Sequence, residues 1–306
     1  MLETREVGKE TEGSPPLQVR RTLLRVNGVL LHVVEAGPQD GPLVVLLHGF
    51  PEFWYGWRRQ IEALANAGYR VLAPDQRGYN LSEKPPGMAA YRIDALTRDV
   101  LGLLDARGRE RAYVVGHDWG AAVAWNLAIS HPERVERLAI LNVPHPGVFA
   151  QTLRTSRAQQ LKSWYMFFFQ VPVLPEVLLR IRNFRMLARS LTNTSRSGTF
   201  SSDDLKRYRE AWAQPGTLTG MLNWYRAMFL FPAPTGGDAR VRVPALILWG
   251  AEDQFLGREM AERSVEHVDD AQLEMFGNVS HWIQHEVPQE VNAHLLAFFA
   301  GNRRGL

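Results

Sequence analysis

The 306-residue chain contains no cysteine. Disulfides and thiolate metal sites are therefore excluded, which fits a reducing compartment, and a cytoplasmic location is expected. Long apolar runs are also missing. The most apolar stretch, Trp164 to Leu179, is broken by Pro172 and Pro175 and carries Gln170 and Glu176, short of the roughly 20 apolar residues a membrane span needs. The N-terminus has no apolar signal core, and residues 1–19, with Glu10-Thr11-Glu12-Gly13-Ser14-Pro15-Pro16, read as a flexible extension. Charge of one sign is not concentrated: 35 Lys and Arg face 32 Asp and Glu, for a net charge of +3. The tight basic pairs are Arg20-Arg21, Arg58-Arg59 and Arg303-Arg304. A nucleic-acid reader would need a basic stripe or a known reading module, so no nucleic-acid partner is expected. No internal repeat or low-complexity segment is visible, and 45% apolar residues supply a large core.

What is present is an alternation of apolar runs and helical patterns. Leu23–Val26 and Val29–Val34 flank Asn27-Gly28, a hairpin signal. Leu43-Val44-Val45-Leu46-Leu47 is continuously apolar, as in strands buried on both faces of a parallel sheet. Helix is expected at 57–67, strand at 69–73, helix at 93–107, strand at 112–115, helix at 121–130 and strand at 135–141. That order implies an α/β fold with a mostly parallel central sheet flanked by helices. From Pro146 to Asp238 the alternation stops, and helical, aromatic patches at 158–170, 177–190, 203–213 and 218–229 suggest an inserted helical cap over 146–238. Strands at 245–249 and 272–276 and a helix at 288–299 complete a core made of 20–145 and 239–306.

Ala112-Tyr113-Val114-Val115-Gly116-His117-Asp118-Trp119-Gly120 reads as a strand, a small-residue turn and a helix start. Asp118 then sits at a nucleophile elbow, where serine is usual. A carboxylate there attacks saturated carbon and leaves an alkyl ester, rather than performing acyl transfer. Gly-X-Asp-X-Gly alone also fits a helix-capping aspartate, so the rest of the chain must decide. Ligands in such sheets sit beyond the carboxyl ends of the strands. Asp253, after strand 245–249, and His281, after strand 272–276, follow Asp118 in the order nucleophile, acid, histidine, with His281 as base and Asp253 as its orienting acid. Glu252 is the competing acid, one residue nearer the strand, and His285 the rival histidine. His281 and His285 at i, i+4 have no third ligand near them, so no metal is expected. The amides of Phe50, in His48-Gly49-Phe50-Pro51, and of Trp119 form the expected oxyanion pair.

His48-Gly49-Phe50-Pro51-Glu52 with Phe53-Trp54-Tyr55-Gly56-Trp57-Arg58, Gly116-His117-Asp118-Trp119-Gly120, and the placement of Asp253 and His281 resemble an epoxide hydrolase of the α/β-hydrolase superfamily. The resemblance covers nearly all of residues 20–300. It implies the α/β-hydrolase fold, an epoxide substrate and water, no cofactor, and two cap tyrosines that protonate the epoxide oxygen. Trp164-Tyr165-Met166-Phe167-Phe168-Phe169-Gln170-Val171-Pro172 and Leu222-Asn223-Trp224-Tyr225-Arg226 are similar to the family's tyrosine segments, which carries that role to Tyr165 and Tyr225. A phenol of pKa about 10 keeps its proton at neutral pH and can give it to an alkoxide. Tyr208, near charged residues, reads as a surface or packing tyrosine. Trp54, Phe167, Phe168, Trp224, Phe255 and Trp282 are candidate walls of an apolar pocket. The alternatives are a haloalkane dehalogenase, which shares the aspartate but typically places an asparagine where Phe50 stands, and a non-catalytic ligand-binding scaffold. A homodimer is left open.

Overall fold

The computed structural model of the chain describes residues 19–232 and 239–301. The expected N-terminal extension lies outside the described residues except for Val19, as do residues 233–238 at the end of the expected cap and the Arg303-Arg304 pair.

Strands β1 (Arg20–Val26) and β2 (Val29–Ala36) form the hairpin around Asn27-Gly28, both residues at positive φ. The chain continues through β3 (Leu43–Leu47), α1 (Arg58–Asn66), β4 (Arg70–Pro74), α2 (Ile93–Asp105), β5 (Ala112–His117), α3 (Trp119–Ser130) and β6 (Val135–Leu141). Among the described residues, six helices follow before the sheet resumes: α4 (Pro146–Thr155), α5 (Arg157–Lys162), α6 (Trp164–Phe168), α7 (Leu174–Asn193), α8 (Ser202–Trp212) and α9 (Thr217–Leu230). We refer to this helical segment as the cap. Then come β7 (Ala245–Gly250), α10 (Glu259–Val265), β8 (Ala271–Phe276), α11 (Ile283–Glu286) and α12 (Pro288–Phe299). The sheet order is β1-β2-β4-β3-β5-β6-β7-β8, antiparallel at the first two pairings and parallel from β4 onward.

The continuous apolar runs are read twice, because successive strand side chains point to opposite faces. In β3, Leu43, Val45 and Leu47 join one core with Leu96, Val100 and Leu103 of α2 and Val123 and Leu127 of α3. Val44 and Leu46 face the other way, into a second core with Ile61 and Leu64 of α1 and Val291, Leu295 and Phe298 of α12. The strand ends are thus held rigidly between two layers.

Three helices escaped sequence reading, α4, α10 and α11. In α4, Pro146 occupies the first helical turn, where its missing N–H costs nothing. His145 caps this helix, its Nδ1 accepting from the Gly147 amide at 3.2 Å. The expected single helix 158–170 is divided at Ser163 into α5 and α6, and α7 is interrupted by non-helical backbone at Ile181–Phe184.

Candidate active site

β5 ends at His117, and Asp118 turns the corner with φ +50° and ψ −125° before α3 begins at Trp119. A non-glycine residue at such a φ is costly and persists only where its surroundings impose it. The flanking glycines show what does. A Cβ on Gly120 would collide with the Leu47 carbonyl, and one on Gly116 would lie 2.5 Å from the Ala121 Cα. The helix therefore packs directly against the β3 and β5 backbones and fixes the corner. Gly49 is constrained from the opposite side, since its Cβ would enter the Asp118 carboxylate.

That close approach brings the Phe50 amide to Asp118, donating to Oδ1 at 2.6 Å. The Trp119 amide is the first of α3, and first-turn amides have no acceptor inside their helix. Its indole packs edge-on against Tyr225, 5.0 Å between ring centres, and 5.8 Å from Trp224.

His281 follows β8, with Nε2 3.7 Å from Asp118 Oδ2 and Nδ1 2.7 Å from Asp253 Oδ2. Asp253 is buried, and its other oxygen accepts from the Phe255 and Leu256 amides at 2.7 and 3.0 Å. Glu252 is exposed, its backbone amide bonded to the Val279 carbonyl. Burial opposes a charged imidazole at 281, but the Asp253 and Asp118 carboxylates outweigh it and raise the His281 pKa from 6.5 to about 10. Burial likewise opposes ionisation of Asp253, and the His281 cation with the surrounding donors holds its carboxyl below the usual value. The Nδ1 proton faces Asp253, leaving Nε2 toward Asp118.

From the cap, Tyr165 of α6 and Tyr225 of α9 meet ring to ring at 6.0 Å. Burial first, then the Asp118 carboxylate, raises both phenols, so both keep their protons. Phe255 lies 5.1 Å from the His281 ring and 5.8 Å from Tyr165, and Trp282 lies 5.2 Å from His281. Trp224 is buried behind Trp119 and donates its indole N–H to the Arg77 carbonyl at 3.0 Å.

The structure places three of the expected pocket residues outside the ring contacts of the tyrosine pair. Phe167 is 50% exposed and packs on Phe229, because two residues beyond Tyr165 a helix has turned to its opposite side. Phe168 packs on Trp164 and Phe169 instead of on the tyrosines. Trp54 rings with Phe53 and Tyr55 and lies under the Arg21 guanidinium, 5.3 Å away. The ring beside the tyrosine pair that sequence reading missed is Phe169, four positions after Tyr165 and so on its face. Its ring is 5.0 Å from Tyr225, 5.7 Å from Tyr165 and 5.5 Å from Phe50.

A supporting layer was also missed. Asn142, at φ +54°, donates to Asp253 Oδ2 at 2.8 Å and accepts from the Gly250 amide at 3.0 Å. Glu52 is buried beside His117, 3.3 Å from its Nδ1, accepting from Tyr208 and His285 at 2.6 Å each and from Gln284 at 2.9 Å. Burial opposes its ionisation, but His285 and His117 beside it hold it well below the usual carboxylate range. Arg58 donates to His285 Nδ1 at 3.2 Å, so His285 is neutral and gives its Nε2 proton to Glu52. His285 is therefore committed to Glu52, away from Asp118. His117 Nε2 bonds the His281 carbonyl at 2.9 Å and so fixes the backbone of that histidine. Tyr208 is fully buried, not at the surface. Asp75 fixes its loop through His32, Asn80 and the Trp54 amide.

A family model for the alpha/beta hydrolase fold matches residues 42–288. The chain is 48% identical to the AB hydrolase superfamily protein YfhM of Bacillus subtilis, over 92% of this chain and 98% of that one. It is 37% identical to epoxide hydrolase A of Mycobacterium tuberculosis, over 91% and 97%. The crystal structure of Bacillus megaterium epoxide hydrolase with an inhibitor superposes with a TM-score of 0.84 at 34% identity, covering 91% of this chain and all of that one. The chain belongs to the epoxide hydrolases of the α/β-hydrolase superfamily. Like other epoxide hydrolases it is a hydrolase, and the elbow, the His281 loop and the cap tyrosines all lie within the matched span.

Proposed function

We propose that the protein opens epoxides to vicinal diols through an ester of Asp118. The observation that carries this reading is a carboxylate, not a hydroxyl, on the strained elbow, with His281 Nε2 3.7 Å away. Asp118 attacks one epoxide carbon as the ring C–O bond breaks, and Tyr165 or Tyr225 donates its proton to the departing oxygen. The phenolate regains a proton from the His281 imidazolium, which leaves a neutral imidazole for the second step. Esterification also removes the Asp118 charge that helps hold the His281 proton. His281, oriented by Asp253, then takes a proton from water as that water attacks the ester carbonyl. The oxyanion forms against the Phe50 and Trp119 amides, each such donor being worth about 10²–10³ in rate. As the intermediate collapses, the leaving diol oxygen takes the proton that His281 holds, and the carboxyl proton left on Asp118 then passes to the neutral imidazole, restoring the charged pair. Phe50, Phe169, Phe255 and Trp119 make the surrounding wall apolar, which favours a hydrophobic epoxide.

In this scheme the new diol oxygen comes first from Asp118, not from water. A single turnover of an aryl epoxide by excess enzyme in ¹⁸O-water should place label in the Asp118 peptide and none in the diol. Label in the diol during that first turnover would mean direct attack by water. Release of halide from haloalkanes without diol formation from epoxides would favour the dehalogenase reading instead.

A further inference from the structure

Most of the exposed large apolar side chains among the described residues lie between Leu161 and Phe231, on the outer side of the cap. Trp164 is 61% exposed and Val173 69%, with Phe167, Leu174, Val177 and Ile181 exposed nearby. They form one surface. Phe167 packs on Phe229 at 5.3 Å, and Arg226 ties α9 to the segment before α7 by donating to the Val171 carbonyl and to Glu176. Val173 is held at φ +66° in a tight turn, the Leu174 amide reaching the Pro172 carbonyl at 2.7 Å. A β-branched residue in that conformation is strained, yet its side chain is presented to solvent instead of being buried.

Along α5–α7 the charge on this surface is nearly all positive. Glu176 is the one acid between Ser156 and Ser201, and it is already paired with Arg226 at 2.7 Å. Arg180, Arg182, Arg185 and Arg189 are exposed along α7. Among the described residues, none of the four pairs with a carboxylate. Aromatic and aliphatic side chains bordered by arginine are the composition that lies in the interface of an anionic bilayer. No described helix is long and apolar enough to cross a membrane, so the contact is peripheral.

We infer that this outer face of the cap docks on an anionic lipid surface, its apolar side chains entering the headgroup boundary and its arginines meeting lipid phosphates. A second copy of the chain fits less well. A symmetric pairing through this face would gather both arginine rows into one interface, with no unpaired acid from α5–α7 to answer them. Tyr165 follows Trp164 on α6, so docking sets the inner wall of the site beside the bilayer; only the idea that substrate enters from lipid rests on the reaction proposed above.

The test is flotation of the full chain with phosphatidylcholine–phosphatidylglycerol vesicles, roughly 3:1, against phosphatidylcholine alone. The protein should float with the mixed vesicles, stay behind with the neutral ones, and be released by about 1 M salt, where charges are screened beyond ~3 Å. Arg185→Gln with Arg189→Gln should weaken binding roughly 25-fold, and Val173→Asp should weaken it with diol formation from dissolved epoxide unchanged. No flotation with mixed vesicles, equal binding to neutral ones, or binding that both variants leave intact would overturn the inference. So would a concentration-dependent dimer that Val173→Asp dissociates.

Discussion

His281 keeps its proton because two carboxylates face it, and the proposed ester would remove one of them. Asp118→Asn removes the same charge without chemistry, so the His281 imidazole, followed by NMR, should titrate at lower pH in that variant than in wild type. An unchanged titration would mean that Asp253 alone holds the proton. The same group makes a signed prediction for stability. A folded-state pKa raised from 6.5 to about 10 contributes stability that is complete below pH 6.5 and lost as pH rises through 10. Asp253, lowered from 3.8, acts in the opposite sense, contributing above that value and losing its share as pH falls through its folded-state pKa. The urea-unfolding free energies of wild type and His281→Gln should therefore converge between pH 6.5 and 10, whereas a widening gap would contradict the assignment.

At the scale of elements, the elbow depends on β3 and α3 approaching so closely that no side chain fits between them. Gly120→Ala would push α3 off the Leu47 carbonyl. Overpacking of this kind costs about 1–3 kcal/mol, and because the shift moves Asp118 and the Trp119 amide together, diol formation should fall with the thermal midpoint. Unaltered stability would show that the helix has room to spare. The cap is anchored by hydrogen bonds from α8 and α9. Tyr208 donates to Glu52, Trp212 to the Pro51 carbonyl at 2.6 Å and Trp224 to the Arg77 carbonyl. Tyr208→Phe takes a donor from a buried anion, a loss of about 1.5–3 kcal/mol that should appear in the urea midpoint; no shift would indicate that another donor replaces it.

For the molecule as a whole, what could be read from sequence was what is local. Buried parallel strands leave unbroken apolar runs such as Leu43–Leu47, and the elbow, Asp253 and His281 each sit just beyond a strand, so the sheet brings them together. What escaped was made by distance in the chain. Glu52 meets Gln284 and His285 across 232 and 233 positions, and Asn142 meets Asp253 across 111; neither polar residue carries a local mark of its partner. Phe167 and Phe169 are indistinguishable in an aromatic run until the phase of α6 is known. The most direct test of the ester follows from the division of labour between nucleophile and base. His281→Gln should still alkylate Asp118 but hydrolyse the ester slowly, so the intact protein incubated with an epoxide should gain the mass of one substrate, located on the Asp118 peptide. Wild-type turnover together with an unmodified His281→Gln protein would contradict a covalent intermediate.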